Sequence, residues 1–237
     1  MAIPEANRTA PLWIKVCGLV DVGNAVAVAR TGVDAIGLNF YAKSKRVVTV
    51  AAATAIVEAV VGAVASDCEP VGLFVNATPQ EVADVCGRTG IRTVQLHGDE
   101  SDDDLDAIGA MAEVDSVIRA LRLRQIDELA WDDTRPQVNR LLLDALSTAG
   151  FGGTGQQLDW STLPSARSRV AGQSVVLAGG LTPTNVAEAV RVARPDGVDT
   201  ASGVEERPGW KDIDQVRAFV LTAREAHQSL AADGAST

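Results

Sequence analysis

Strand-like and helix-like segments alternate along the whole chain, and this alternation constrains the fold more than any other feature. Short apolar runs typical of buried strands occur at Trp13 to Cys17, Ala35 to Phe40, Pro70 to Val75, Thr93 to Leu96, Val114 to Leu121, Arg140 to Leu143, Ser174 to Ala178 and Gly197 to Thr200. Segments with helical spacing lie between them, at Val22 to Thr31, Ala51 to Val64, Pro79 to Thr89, Asp102 to Met111, Thr182 to Ala193 and Lys211 to Leu230. The alternation predicts an α/β protein with a parallel sheet and right-handed crossovers, closed into a single-domain (β/α)8 TIM barrel.

Local signals support this interpretation of the helices. Thr78 before Pro79, Thr182 before Pro183, and Asp21 before an Ala/Val stretch are typical of helix N-termini. The alternative is an open, doubly wound sheet, which usually carries GxGxxG after its first strand, whereas this chain has Cys17-Gly18-Leu19 there. The weakest unit is Arg122 to Asn139, which we interpret as a short helix followed by a polar loop.

The length of 237 residues suits one barrel domain, which we place at 12–230, after an N-terminal extension (1–11) and before a disordered tail (231–237). Hydrophobic residues make up 46% and aromatic residues only 4%, so Val, Ala, Leu and Ile must pack the core. The net charge of −10 argues against nucleic acid and anionic membranes as partners, because both require a basic surface. A phosphorylated small molecule would need a local cradle of backbone N–H groups or a few cations.

The three cysteines, Cys17, Cys68 and Cys86, show no CxxC spacing and no companion cluster of histidines. They therefore fit neither a disulfide framework nor a metal site, and a reducing cytoplasm is the expected location. We expect no signal peptide, since the first dozen residues include Pro4, Glu5 and Arg8 and lack an apolar region. We also expect no membrane span, since the longest apolar stretch, Val50 to Ala65, contains Glu58 and Gly62. Composition leaves open whether the protein is a monomer or a homodimer.

Two glycine-containing loops follow the last two predicted strands. The first carries Gly179 and Gly180, and the second carries Ser202 and Gly203. In barrels these positions commonly bind phosphate, because glycine lets the backbone approach closely and helix-start N–H groups point outward. Tight turns without a ligand are the alternative, but two such loops in succession favour the phosphate cradle.

The ends of the other strands supply candidates for chemistry. Cys17 could act as a base if a nearby cation, such as Lys15 on the same face, lowered its pKa; a small buried hydrophobe is the interpretation that position alone favours. Asp144 follows an apolar run, and an acid in such surroundings can hold a proton close to neutral pH; a helix cap is an equal alternative. The Gly150–Gln156 loop, with Gly153 and Gly155, could fold over a ligand.

Three further residues could line the ligand pocket. Arg46 could hold a carboxylate bidentately, although a solvated loop charge is the alternative, and for Lys45 we prefer the latter. Gln95 and His97 alternate with Val94 and Leu96, so both face one side of the fourth strand and either line the pocket or serve the core.

Taken together, these motifs resemble the phosphoribosylanthranilate isomerase family of tryptophan biosynthesis from about Leu12 to Phe219. The matching segments, in order, are Lys15-Val-Cys-Gly, Ser44-Lys-Arg, Val71-Gly-Leu-Phe-Val-Asn, Val94-Gln-Leu-His-Gly-Asp, Leu143-Asp, Gly152-Gly-Thr-Gly, Asp159-Trp, Leu177-Ala-Gly-Gly-Leu and Gly197-Val-Asp-Thr-Ala-Ser-Gly-Val-Glu.

The resemblance implies an Amadori rearrangement of N-(5-phosphoribosyl)anthranilate without a metal or organic cofactor. It implies Asp144 as the acid that opens the furanose ring and Cys17 as the base that removes the C2′ proton. It also implies that Arg46 holds the anthranilate carboxylate and that the backbone around Gly180, Ser202 and Gly203 holds the phosphate.

Two other functions are compatible with a barrel that carries these glycine loops. A related isomerase of histidine biosynthesis, acting on a phosphoribosyl carboxamide, would pair two Asp residues, and Cys17 argues against it. A non-catalytic phosphate-ligand-binding barrel would keep the glycine loops but need neither Cys17 nor Asp144.

Overall fold

The computed structural model describes residues 10–64, 68–128, 136–145, 158–170 and 172–234, and these contain a closed parallel barrel. Its strands are β1 (Trp13–Cys17), β2 (Ala35–Asn39), β3 (Glu69–Phe74), β4 (Thr93–Leu96), β5 (Ser116–Leu123), β6 (Val138–Ala145), β7 (Ser174–Leu177) and β8 (Gly197–Thr200). Each strand pairs with its sequence neighbour, and β8 pairs with β1 in a register that sets Lys15 opposite Asp199. The predicted (β/α)8 barrel is therefore confirmed.

Alternation of side chains along the strands produces two apolar layers. Ala35, Val71, Ile118, Leu142 and Val176 form a small cluster that fills the barrel interior. The alternate strand residues, such as Ile14, Val16 and Leu141, belong to the larger core between the sheet and the surrounding helices. Val, Leu, Ile and Ala dominate both layers, in keeping with a barrel whose interior is packed rather than hollow.

The helices largely follow the predicted pattern. They are α1 (Val22–Ala29), α2 (Val50–Val64), α3 (Pro79–Thr89), α4 (Asp102–Gly109), α5 (Leu163–Ala166), α6 (Val186–Ala193) and α7 (Ile213–Gly234). Asp21 caps α1 through the Asn24 N–H, and Thr78 forms a capping box with Glu81 at the start of α3. No helix in the described ranges is both long and apolar enough to cross a bilayer.

Several predicted boundaries were wrong. Helix α6 starts at Val186 rather than Thr182, because the Thr182 N–H is bonded to the Asn185 side chain in a turn that precedes the helix. Strand β5 continues to Leu123, into the unit predicted as a short helix and a polar loop. The described part of that unit contains a 3-10 turn at Ile126–Glu128. Helix α7 extends past Leu230 to Gly234, into the segment predicted as a disordered tail.

A short hairpin was not predicted at all. After β8 the chain forms a 3-10 turn at Ser202–Val204 and then two antiparallel strands, β9 (Glu205–Arg207) and β10 (Trp210–Lys211). Gly209, with φ of +84°, supplies the left-handed residue of the turn. The hairpin brings Glu205 and Lys211 back to the mouth of the barrel.

Candidate active site

A cavity opens at the carboxyl ends of the barrel strands, where α/β barrels carry their active sites. The predicted site residues that line it are Cys17, Arg46, Gln95, His97, Asp144, Gly179, Gly180, Ser202 and Gly203. Gly153 and Gly155, together with the rest of the Gly150–Gln156 loop, lie outside the described residues. Residues predicted from six different loops and strand ends thus meet at one cavity.

Cys17 is the last residue of β1, and its position is both buried and open to the cavity. The residue is 6% exposed and lines the cavity wall. Its neighbour on β2 is Gly37, where an added Cβ would lie 2.5 Å from the Cys17 sulfur. The absence of a side chain at Gly37 is therefore what leaves room for the thiol.

A buried ion pair lies directly below this thiol in the barrel interior. Lys15, with none of its surface exposed, donates to Asp199 at 2.9 Å across the β1–β8 seam. Burial alone would lower the pKa of Lys15, but Asp199 and Cys17 outweigh it and raise this pKa. Lys15 is therefore a fixed cation, and the Asp199 carboxylate is its counterion.

Opposing effects act on the Cys17 thiol. Burial raises the pKa of Cys17, and the Asp199 carboxylate acts in the same direction. Lys15, through its charge and a hydrogen bond, and Lys211, through its charge, lower the pKa and so favour the thiolate. The net direction is upward, which means that the two lysines offset only part of the cost of burial.

Asp144 lies near the end of β6 and faces His97, which directly follows β4. The His97 Nε2 and Asp144 Oδ2 atoms are 3.4 Å apart, and the two side chains are 12% and 14% exposed. The Gln95 amide nitrogen lies 2.8 Å from His97 Nδ1. Gln95 thus pairs with one ring nitrogen of His97, and the other ring nitrogen, Nε2, faces Asp144.

The two glycine loops lie side by side across the cavity from β3 and β4. Gly179 and Gly180 have φ of +84° and +71°, which favour glycine. Gly203 packs so closely that an added Cβ would lie 1.9 Å from the Leu181 carbonyl oxygen, and Thr200 donates to that same oxygen at 2.7 Å. The loops are thus locked together with their backbones at the cavity wall.

Arg46 reaches the cavity, but it already has a protein partner. Its Nε and Nη2 atoms each donate to Glu205 at 2.7 Å, and this bidentate pairing raises the pKa of Arg46. Lys45, in contrast, is exposed. Arg46 is therefore held in place by the hairpin that follows the Ser202–Gly203 loop.

Three charged residues of this region were missed as site residues from the sequence: Asp199, Glu205 and Lys211. Closure of the barrel makes β1 and β8 neighbours, so the inward positions of Lys15 and Asp199 could have been paired from the strand assignments alone. Glu205 and Lys211 gave no such signal, because a three-residue polar strand has no apolar alternation. Within the described residues, no group of three or more His, Cys, Asp or Glu side chains is arranged to hold a metal ion.

Comparisons with known proteins agree with this architecture. Residues 14–222 match the family model for N-(5'phosphoribosyl)anthranilate (PRA) isomerase. The N-(5'-phosphoribosyl)anthranilate isomerase of Myxococcus xanthus is 43% identical over 216 residues, which cover 89% of this chain and 95% of the relative. A crystal structure of phosphoribosyl anthranilate isomerase from Thermotoga maritima superposes with a TM-score of 0.78 at 34% identity, covering 90% of this chain and 99% of that one.

A second solved structure adds a ligand. It is a phosphoribosyl anthranilate isomerase in complex with reduced 1-(o-carboxyphenylamino)-1-deoxyribulose 5-phosphate, similar to this chain with a TM-score of 0.76 and 32% identity over 90% of this chain and 99% of that one. The family model covers most of the barrel, and the relatives match over nearly their full lengths. The chain belongs to the N-(5'-phosphoribosyl)anthranilate isomerase family.

Proposed function

We propose that this chain catalyses the Amadori rearrangement of N-(5'-phosphoribosyl)anthranilate to 1-(2-carboxyphenylamino)-1-deoxyribulose 5-phosphate, the isomerase step of tryptophan biosynthesis. The observation that carries the proposal is the single cavity shared by Cys17, Asp144 and the two glycine loops. An aldose-to-ketose shift needs one group that gives a proton and another that takes one, together with an anchor for the phosphate.

Asp144 acts as the general acid. It protonates the furanose ring oxygen, and the anthranilate nitrogen expels that oxygen to open the ring as a Schiff base. The Asp144 carboxylate that remains can then accept a hydrogen bond from His97 Nε2, the atom that faces it in the structure. Gln95 supports this step by pairing with His97 Nδ1, which orients the imidazole ring with Nε2 toward Asp144.

Cys17 acts as the general base. As the thiolate it removes the C2′ proton of the Schiff base, and the electrons of that bond give the enolamine, which tautomerises to the ketone at C2′ and a methylene at C1′. Lys15 and Lys211 favour the thiolate, and Gly37 leaves the sulfur its space. Backbone N–H groups of the Gly179–Gly180 and Ser202–Gly203 loops anchor the phosphate.

The test is the fluorescence assay of phosphoribosylanthranilate turnover with the wild type, Cys17→Ser and Asp144→Asn. We expect each substitution to lower kcat by about 10²–10⁴-fold, because each removes one proton-transfer group. Far-UV circular dichroism serves as the fold control. Wild-type turnover rates in both folded variants would reject the assigned roles.

A further inference from the structure

Glu205, the first residue of the β9–β10 hairpin, is a buried carboxylate with a full set of partners. Its side chain is 5% exposed. Oε1 accepts from Arg46 Nε at 2.7 Å, from Lys211 Nζ at 2.7 Å and from the Gly209 N–H at 3.0 Å, and Oε2 accepts from Arg46 Nη2 at 2.7 Å. A carboxylate held at both oxygens has a fixed orientation, so the arginine that it pairs with is fixed as well.

The second cation of this cluster ties the hairpin to the barrel. The Lys211 side chain is fully buried, and its Nζ also donates to the Ala201 carbonyl at 2.9 Å. Burial would raise the pKa of Glu205, but the hydrogen bonds from Arg46 and Lys211 outweigh it and hold this pKa below its ordinary value. Two cations against one carboxylate leave a net charge of +1 beside the cavity.

The other side of Arg46 rests on the backbone next to Cys17. An added Cβ at Gly18 would lie 2.4 Å from Arg46 Cδ, so the arginine stem crosses directly over the residue that follows the thiol. The pairing with Glu205 uses the Nε and Nη2 donors of a guanidinium that carries five N–H groups. Its Nη1 and Nη2 end is the edge that can receive a second carboxylate.

We propose that Glu205 is a positioning residue that gives this site its selectivity for a carboxylated aromatic amine, by presenting the free end of the Arg46 guanidinium to the ligand. This inference rests on the proposed function and on the role for Arg46 that the family resemblance implies, which is to hold the anthranilate carboxylate. Glu205 itself touches no reacting atom, and the chemistry stays with Cys17 and Asp144. Its contribution is to preorganise a donor pair that would otherwise lose side-chain entropy on binding.

The experiment compares two ligands by calorimetry. One is reduced 1-(o-carboxyphenylamino)-1-deoxyribulose 5-phosphate, and the other is the same compound without the carboxylate. We expect Glu205→Gln to weaken binding of the carboxylated ligand about tenfold and to leave binding of the other unchanged, since the substitution weakens the charge-assisted pairing that orients Arg46 toward the carboxylate. Glu205→Asp should fall between wild type and Glu205→Gln. In turnover, KM should rise more than kcat falls.

Two further variants separate selectivity from folding. The double variant Glu205→Gln, Lys211→Met also removes the buried Lys211 cation, which lacks its counterion in Glu205→Gln alone. We expect this double variant to fold and to show the same loss of selectivity. Arg46→Gln should abolish the discrimination between the two ligands. An equal loss of affinity for both ligands in Glu205→Gln, or no loss, would overturn the inference, as would undiminished discrimination in Arg46→Gln.

The same measurements distinguish this inference from the proposed reaction. Binding is recorded without turnover, so a wild type that discriminated between the ligands but did not convert phosphoribosylanthranilate would contradict the reaction and leave the role of Glu205 standing. If the wild type turned over substrate but Glu205→Gln bound both ligands as the wild type does, the proposed reaction would stand and the role of Glu205 would be contradicted.

Discussion

In the proposed reaction Cys17 is the base, and the neighbours of its thiol act on the pKa in opposite directions. Burial and Asp199 raise the pKa of Cys17, whereas Lys15 lowers it. Because Lys15 and Asp199 also neutralise each other at 2.9 Å, each can be altered with a predictable sign. Removing either member of the ion pair should therefore shift the pKa of Cys17, and the two shifts should have opposite signs.

We predict that Lys15→Met raises the pKa of Cys17 further and that Asp199→Asn lowers it. The measurement is the ultraviolet absorbance of the thiolate against pH, with Cys17→Ser subtracted. Burial raises the pKa of Cys68 to about 12 and of Cys86 to about 11, and subtracting the Cys17→Ser titration removes their contribution in the alkaline range. Shifts of the same sign in both variants would contradict the assigned electrostatics.

At the scale of elements, the loops after β7 and β8 act as one unit. The Leu181 carbonyl accepts from Thr200 and lies against Gly203, so the second loop has no room to move toward the first. A side chain at Gly203 must displace backbone rather than the tip of a flexible side chain. We therefore expect the proposed phosphate cradle, formed by these two loops, to be sensitive even to alanine at Gly203.

We predict that Gly203→Ala weakens binding of inorganic phosphate by at least about tenfold and lowers stability by about 1–3 kcal/mol, as overpacking does. The matched control is Gly62→Ala in α2, where an added Cβ meets nothing within 4 Å. That variant should gain about 0.5–1 kcal/mol, since alanine favours a helix, and should bind phosphate normally. The measurements are phosphate affinity by calorimetry and stability by urea denaturation, for both variants. Phosphate binding by Gly203→Ala as tight as that of the wild type would contradict the prediction.

The elements also show which features can be predicted from the sequence alone. Strands β1, β4 and β8 and helix α3 were predicted at their observed bounds, because short apolar runs and a Thr78-Pro79 start are local signals. Glu205 was missed because its role depends on Arg46, 159 residues earlier in the chain, and on a hairpin too short and polar to show a pattern. Contacts across such separations are fixed by barrel closure, which no local window contains.

At the scale of the whole molecule, the last helix fastens the end of the barrel opposite the cavity. Arg224 of α7 donates Nη2 to the Gly32 carbonyl at 2.9 Å and to both oxygens of Asp34 at 3.1 Å. Asp34 in turn accepts from the Ile14 N–H at 2.7 Å, and Arg224 Nη1 lies 3.3 Å from the Leu12 carbonyl. One side chain near the C-terminus thus joins the entries of β1 and β2.

Because Arg224 lies at the end of the barrel opposite the cavity, we predict that its substitution changes stability without changing activity. Arg224→Ala should lower the free energy of unfolding by about 1–2 kcal/mol, a reduced value for hydrogen bonds to a carboxylate because Arg224 and Asp34 are each about one-third exposed. Its kcat/KM at 25 °C should stay within about twofold of wild type, since the barrel's catalytic face lies at the other ends of the strands. Arg224→Lys, which keeps the charge but not the fork of donors, should recover part of the stability measured by urea denaturation. A loss of kcat/KM in Arg224→Ala as large as its loss of stability would contradict this prediction. It would mean that the two ends of the barrel are mechanically coupled, and that closure at the strand entries helps to shape the cavity that Cys17 and Asp144 line.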